Sequence, residues 1–153
     1  GHKKIAEAIS EMWRRELGIE VGLLNQEWKV YLDAETALNY DISRAGWIAD
    51  YADPMTFLDL FTTGNGNNKT GWSNPQFDQL IEQARRQGDA GKRIELLHRA
   101  EDLLLADLPV IPIYWYTRIN LRDPRIQNWF PKALDNHPWK YVAIGPVPEG
   151  AAE

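Results

Sequence analysis

Apolar residues return every three or four positions along residues 3–17, where Ile5, Ile9, Met12, Trp13 and Leu17 line one side. That spacing predicts an amphipathic helix, and Gly18 stands where a C-cap glycine would end it. Then the period changes. Residues 19–24 are apolar enough to predict a strand buried on both faces, the habit of parallel sheets. Residues 26–38 return to helical spacing through Trp28, Tyr31, Leu32 and Leu38, and residues 41–44 predict a second strand. Helix, strand, helix, strand is the order of a right-handed crossover, so the two strands are expected to lie parallel and adjacent.

A loop beginning at Gly46 follows, and a short helix is predicted from Pro54 to Phe61. Asp53 suits its N-cap, and Pro54 suits a first turn in which a missing N–H costs nothing. Residues 62–68 are rich in Gly and Asn and predict an exposed loop. Ser73 with Gln76 has the spacing of a capping box ahead of Phe77, Leu80, Ile81 and Ala84, a helix that Gly88 would stop. Residues 91–108 predict the longest helix, with Ile94, Leu97, Glu101, Leu104 and Leu108 in register. Pro109 and Pro112 flank Val110 and Ile111, residues 113–121 alternate as a strand, and Asp123-Pro124 makes a turn. The chain then reads as irregular as far as Trp139. A last strand is predicted over residues 140–144, and residues 146–153 are expected to form a flexible Pro/Gly tail. The expected fold class is α/β: one lobe over residues 1–145, with a small mixed, mainly parallel sheet flanked by helices.

Composition narrows the function. The net charge of −5 argues against nucleic acid, because phosphate binding wants a basic patch. With zero cysteines there is no disulfide, thiolate metal site or cysteine nucleophile. No apolar run approaches the roughly 20 residues of a membrane span, and no signal-peptide pattern opens the chain. The seven tryptophans are the oddity, suited to aromatic walls as well as to a core. The chemistry collects in the loop after the second predicted strand, where a strand's carboxyl end gives way to a helix. Arg44, Gly46, Trp47, Asp50 and Tyr51 offer a cation, an anion, two aromatic faces and a glycine. Such a set suits a zwitterionic organic ligand better than a metal or a nucleic acid.

Residues 44–51, Arg-Ala-Gly-Trp-Ile-Ala-Asp-Tyr, followed by Asp53-Pro54 and Thr56-Phe57-Leu58, closely resemble the signature loop of the periplasmic oligopeptide-binding proteins, the solute receptors of bacterial peptide ABC importers. The resemblance also takes in residues 25–29, 64–68, 74–78 and 108–114. It implies the C-terminal lobe of a two-lobed clamshell of the extracellular family 5, peptide/nickel class. A helix with no strand ahead of it, and a predicted sheet small for so many helices, agree with an incomplete lobe. The resemblance implies a peptide ligand and no cofactor. Its implied partners are an N-terminal lobe closing over the ligand and a membrane permease, and a lobe standing alone, with its cleft and hinge surface exposed, is expected to dock a second copy through them. It implies a periplasmic or lipoprotein-anchored parent.

Asp50 ranks first among the site residues. A carboxylate behind Trp47 and beside Tyr51 can receive a ligand's ammonium as a charge-assisted hydrogen bond, and the resemblance implies this role directly. The plain alternative is a loop aspartate bonding its own backbone. Arg44 either forks onto a peptide carboxylate, as the resemblance implies, or pairs with Asp41 or Asp50 to order the loop. The main-chain groups of Gly46 and Ile48 can pair with an extended peptide as an added strand, reading backbone and ignoring sequence. Trp47 and Trp28 can wall side-chain pockets, although Trp28, on a helix's apolar face, suits a core equally well. Asn67 and Asn68 are expected in a solvated turn. The sequon at residues 68–70 carries no weight, being short and frequent.

Catalysis finds little support. Asp50 and Asp53 as the acid and base of a glycosidase would need one raised pKa and a separation of roughly 5–9 Å, whereas a capping Asp53 would stay ionised. The three histidines, His2, His98 and His137, are scattered, and no phosphate loop or nucleophile elbow appears. The expected function is a non-enzymatic solute-binding module, with a lobe for saccharides, dipeptides or nickel complexes as the alternative.

Overall fold

The computed structural model of the chain describes residues 2–117, 119–130, 134 and 137–146. It divides into two compact units, Gly1–Ser43 and Arg44–Glu153.

The first unit carries α1 (His2–Leu17) and α2 (Trp28–Thr36). Gly18 ends α1 at φ +68°, the left-handed conformation that glycine adopts without strain. The second helix starts two residues later than its periodicity suggests. The Glu27 carboxylate caps it, accepting the N–H groups of Lys29 at 2.9 Å and Val30 at 3.3 Å. Ser43 Oγ donates to the buried Glu35 at 2.6 Å. No apolar residue of this unit is buried among the described residues.

The second unit holds the core. Here α3 (Met55–Leu58) runs into a 3-10 turn at Asp59–Phe61, and α4 (Pro75–Arg86) packs on α5 (Ala90–Asp107). Phe77, Leu80, Ile81 and Ala84 of α4 meet Leu97, Ala100 and Leu104 of α5 over Met55 and Leu58 of α3. Trp72 closes one side, its ring edge-on to Phe77 at 5.0 Å and its indole N–H donating to Asp107 at 2.9 Å. The cap of α4 is Asn74, not Ser73. Its side chain accepts the N–H groups of Gln76 at 2.9 Å and Phe77 at 3.3 Å, while Ser73 Oγ lies 2.8 Å from Thr63 Oγ1. Pro75 at the first helical position decides this, because its fixed φ puts the residue just before it at the cap. Asp89 caps α5 through the Lys92 N–H at 2.9 Å.

The polar loop is more ordered than a solvated turn. Asn68 is half-buried, and its amide donates to the carbonyls of Phe61 at 3.2 Å and Trp72 at 3.0 Å, while Asn65 donates to Asp59 O at 2.7 Å. Asn67 is exposed, as expected.

The predicted sheet departs most from expectation. Among the described residues the sole ladder is antiparallel, β1 (Ile126–Gln127) with β2 (Ala143–Ile144), Ile126 facing Ile144. Residues 19–24, 41–44 and the described part of 113–121 pair with no strand. The last predicted strand shrinks to its end, its start becoming a 3-10 turn at Trp139–Tyr141. An apolar or alternating run makes a segment fit for a sheet, but its ladder bonds must come from a second strand. In its absence such a segment stays exposed, to the point that Leu121 is 99% accessible. The predicted tail beyond residue 146 lies outside the described residues.

Candidate functional site

Residues 44–53 lead from the start of the second unit into α3. Trp47 is 39% exposed, Ile48 72% exposed, and Tyr51 is also open to solvent. The Asp50 side chain is exposed as well, and its main-chain N–H donates to Thr56 Oγ1 at 3.1 Å. Thr56 itself is 2% exposed, so this hydroxyl is a buried anchor for the loop. A methyl group at Gly46 would lie 3.7 Å from Arg44 Nη2, so the arginine folds back over the loop's own glycine.

Pro54, not Asp53, takes the N-cap position of α3, because the α-helix starts one residue later than expected, yet the Asp53 carboxylate still holds its first turn. One carboxylate oxygen accepts the Met55 N–H at 2.8 Å and Arg93 Nη2 at 2.8 Å, and the other accepts Arg93 Nη1 at 2.8 Å. The Asp53 main-chain oxygen accepts the Thr56 N–H at 3.2 Å. The hydrogen bonds from Arg93 and Met55 outweigh partial burial and hold the Asp53 carboxyl below its usual range. An ionised carboxylate gripped at both oxygens cannot serve as a general acid. The Tyr51 phenol is pushed up from its ordinary value, first by its partial withdrawal from water and then by Asp59 and Asp53.

The second unit thus carries Arg44, Gly46, Trp47, Ile48 and Asp50 on one loop. Trp28 belongs to the first unit, where it is 67% exposed and stacks on Tyr31 at 5.3 Å, so its core reading is overturned. A helix's apolar stripe marks a face fit for burial, and no described residue of the first unit buries that part of it. Sequence reasoning missed Thr56 and Arg93. Thr56 sits within the quoted motif but carries no sign of its partner. Arg93 lies 40 residues from Asp53, and no local signal points to it. Two shallow concavities of about 490 and 500 Å³ lie elsewhere, lined respectively by α4 and α5 side chains and by residues 10–22, and neither takes a residue from this loop. The loop is an open face.

Comparison with known proteins follows the same lines. Residues 1–69 match the model of the bacterial extracellular solute-binding proteins, family 5 middle region. The chain is 43% identical, over 94% of its length, to the dipeptide-binding protein DppE of Bacillus subtilis, and it covers 25% of that protein. It is 46% identical over 83% of its length to the oligopeptide-binding protein OppA of the same organism, covering 24% of it. The solved murein tripeptide-binding protein MppA of Escherichia coli superposes with a TM-score of 0.80 at 35% identity, over 94% of this chain and 28% of that one. The chain therefore spans about a quarter of the length of the curated relatives it matches.

Proposed function

Because the chain belongs to the bacterial extracellular solute-binding proteins of family 5, we propose that it is part of the ligand-binding lobe of a non-enzymatic peptide receptor serving an ABC importer. The observation that carries this reading is an exposed Asp50 carboxylate between Trp47 and Tyr51, on a loop whose main chain is tied to a buried threonine. Asp50 takes the ligand's ammonium, the main chain of Gly46 and Ile48 pairs with an extended peptide backbone, Trp47 walls a side-chain pocket, and Arg44 takes a carboxylate. The receptor's other lobe closes over the ligand, and a membrane permease receives it. Such a receptor works outside the cytoplasmic membrane, periplasmic or held by a lipid anchor. The lobe binds weakly alone, because clamshell affinity comes from burying the ligand between two faces. The exposed apolar residues make a second copy the expected occupant of the open surface at high concentration, which light scattering would detect.

The test is isothermal titration of the chain and of its Asp50→Ala variant with tri- to pentapeptides, with free and with acetylated amino termini. Heat that is present for the free peptides and lost on acetylation and in Asp50→Ala is the expected result. Equal heats throughout would remove the ammonium reading. A dipeptide ligand is the second reading, favoured by the 43% identity to a dipeptide-binding protein. Under it, Arg44→Ala weakens dipeptides more than pentapeptides, because only the short ligand ends within its reach.

A further inference from the structure

The Asp50 carboxylate is useful to an ammonium only if the main chain behind it keeps its place, and two side chains outside the loop bear on that. Thr56 Oγ1 accepts the Asp50 N–H at 3.1 Å from a buried position on α3. Arg93, in the first turns of α5, grips Asp53 with both prongs at 2.8 Å, and Asp53 in turn holds the N–H groups of Met55 and Thr56. The α5 helix is packed on the fully buried Phe77, Ile81 and Ala84 of α4, so its N-terminal end is a rigid mount. Both arms are less than one-third exposed, Arg93 at 24% and Asp53 at 30% of the side chain.

We propose that Arg93 and Thr56 are positioning residues for ligand recognition, in which the Arg93–Asp53 fork fixes the entry of α3 and Thr56 carries that position to Asp50. This rests on the reading of Asp50 as the ammonium's partner. A planar fork restrains both the distance and the orientation of the carboxylate, which a single lysine ammonium does not. Holding the loop in its binding geometry before the ligand arrives removes an ordering cost from binding. The role is specific to the amine end of the ligand. Contacts of the peptide backbone with Gly46 and Ile48 lie earlier in the loop, on the far side of Asp50 from the anchor.

The test uses Arg93→Lys, Arg93→Ala and Thr56→Val, each checked for its helical circular dichroism. In the ligand-free chain, amide exchange at Asp50 is followed by NMR. Exchange about tenfold faster in Thr56→Val and Arg93→Ala, with α4 amides unchanged, is expected. In titration, the preference for free over acetylated peptide falls about tenfold in Arg93→Ala, the worth of one charge-assisted hydrogen bond. Arg93→Lys recovers only part of it, whereas a merely structural arginine would be replaced by lysine with the preference intact. Unchanged Asp50 exchange in both Arg93→Ala and Thr56→Val overturns the proposal, whatever the ligand does. Faster exchange combined with a wild-type chain indifferent to acetylation overturns the ammonium reading instead, and with it the binding role of the anchor. The two failures are read in different experiments.

Discussion

The α3–α5 region and the first unit both carry apolar helical stripes, yet one buries its stripes and the other does not. Phe77, Ile81 and Ala84 are fully hidden between α4 and α5, whereas Met12 and Leu17 on the apolar stripe of α1 are 54% and 64% exposed. Both stripes have the helical period. The difference is that α4 and α5 are joined by a three-residue link and lie face to face, while α1 and α2 are separated by ten residues that pair with no strand. Amphipathic spacing is thus a statement about a face, and burial is a statement about a second face that meets it.

The contrast is broken most directly by truncating one member of each region. Ile81→Ala should destabilise the chain by about 3 kcal/mol, since a fully buried branched side chain leaves a cavity between packed helices. Leu17→Ala should change stability by less than about 0.5 kcal/mol. Urea unfolding followed by circular dichroism reads both, and equal losses would mean that the α1 stripe is covered in solution.

A smaller effect is expected at the anchor between α3 and α5. Asp53→Asn should cost about 1 kcal/mol near neutral pH, the screened worth of a partly buried forked ion pair. Its sign with pH follows from the depressed carboxyl. The stabilisation is fully present above the unfolded aspartate value of about 4 and is lost as pH falls through the lower folded value. Melting temperatures of wild type and Asp53→Asn should therefore converge as pH falls from about 5 towards 2. Parallel curves would show that the fork contributes nothing.

The least costly change separates the two capping candidates of α4. Asn74→Ala should lose about 1 kcal/mol and Ser73→Ala almost nothing, because the Asn74 side chain alone satisfies the Gln76 and Phe77 amides. Thermal melts of the pair decide it.

Much of this molecule was legible along the chain. Among the described residues the five α-helices fall where periodicity and glycine stops put them, within about three residues, although Asn74 and not Ser73 caps α4. The left-handed turn at Gly18 and the Asp53 contact with the first turn of α3 were equally visible. The oligopeptide-receptor resemblance read from residues 44–58 is supported by relatives at 43% and 46% identity and a superposition at a TM-score of 0.80, which also bears out the expected periplasmic-receptor lobe as the fold class. Strand pairing was not legible, nor was the partner of any long-range side chain.

Local sequence determined the helices, their ends and the loop that carries Arg44, Gly46, Trp47, Ile48 and Asp50, because caps, turns and helical periods are satisfied within a few residues of one another. Only the tertiary structure decided that residues 19–24 and the described part of 113–121 stand without a ladder, that Asn68 staples its loop to Phe61 and Trp72, and that Arg93 reaches Asp53. Each of these depends on a group far away in the chain. A strand needs a neighbour's N–H and C=O, and a carboxylate takes whichever cation packing brings within 3 Å, so neither outcome is written in the residues that flank it.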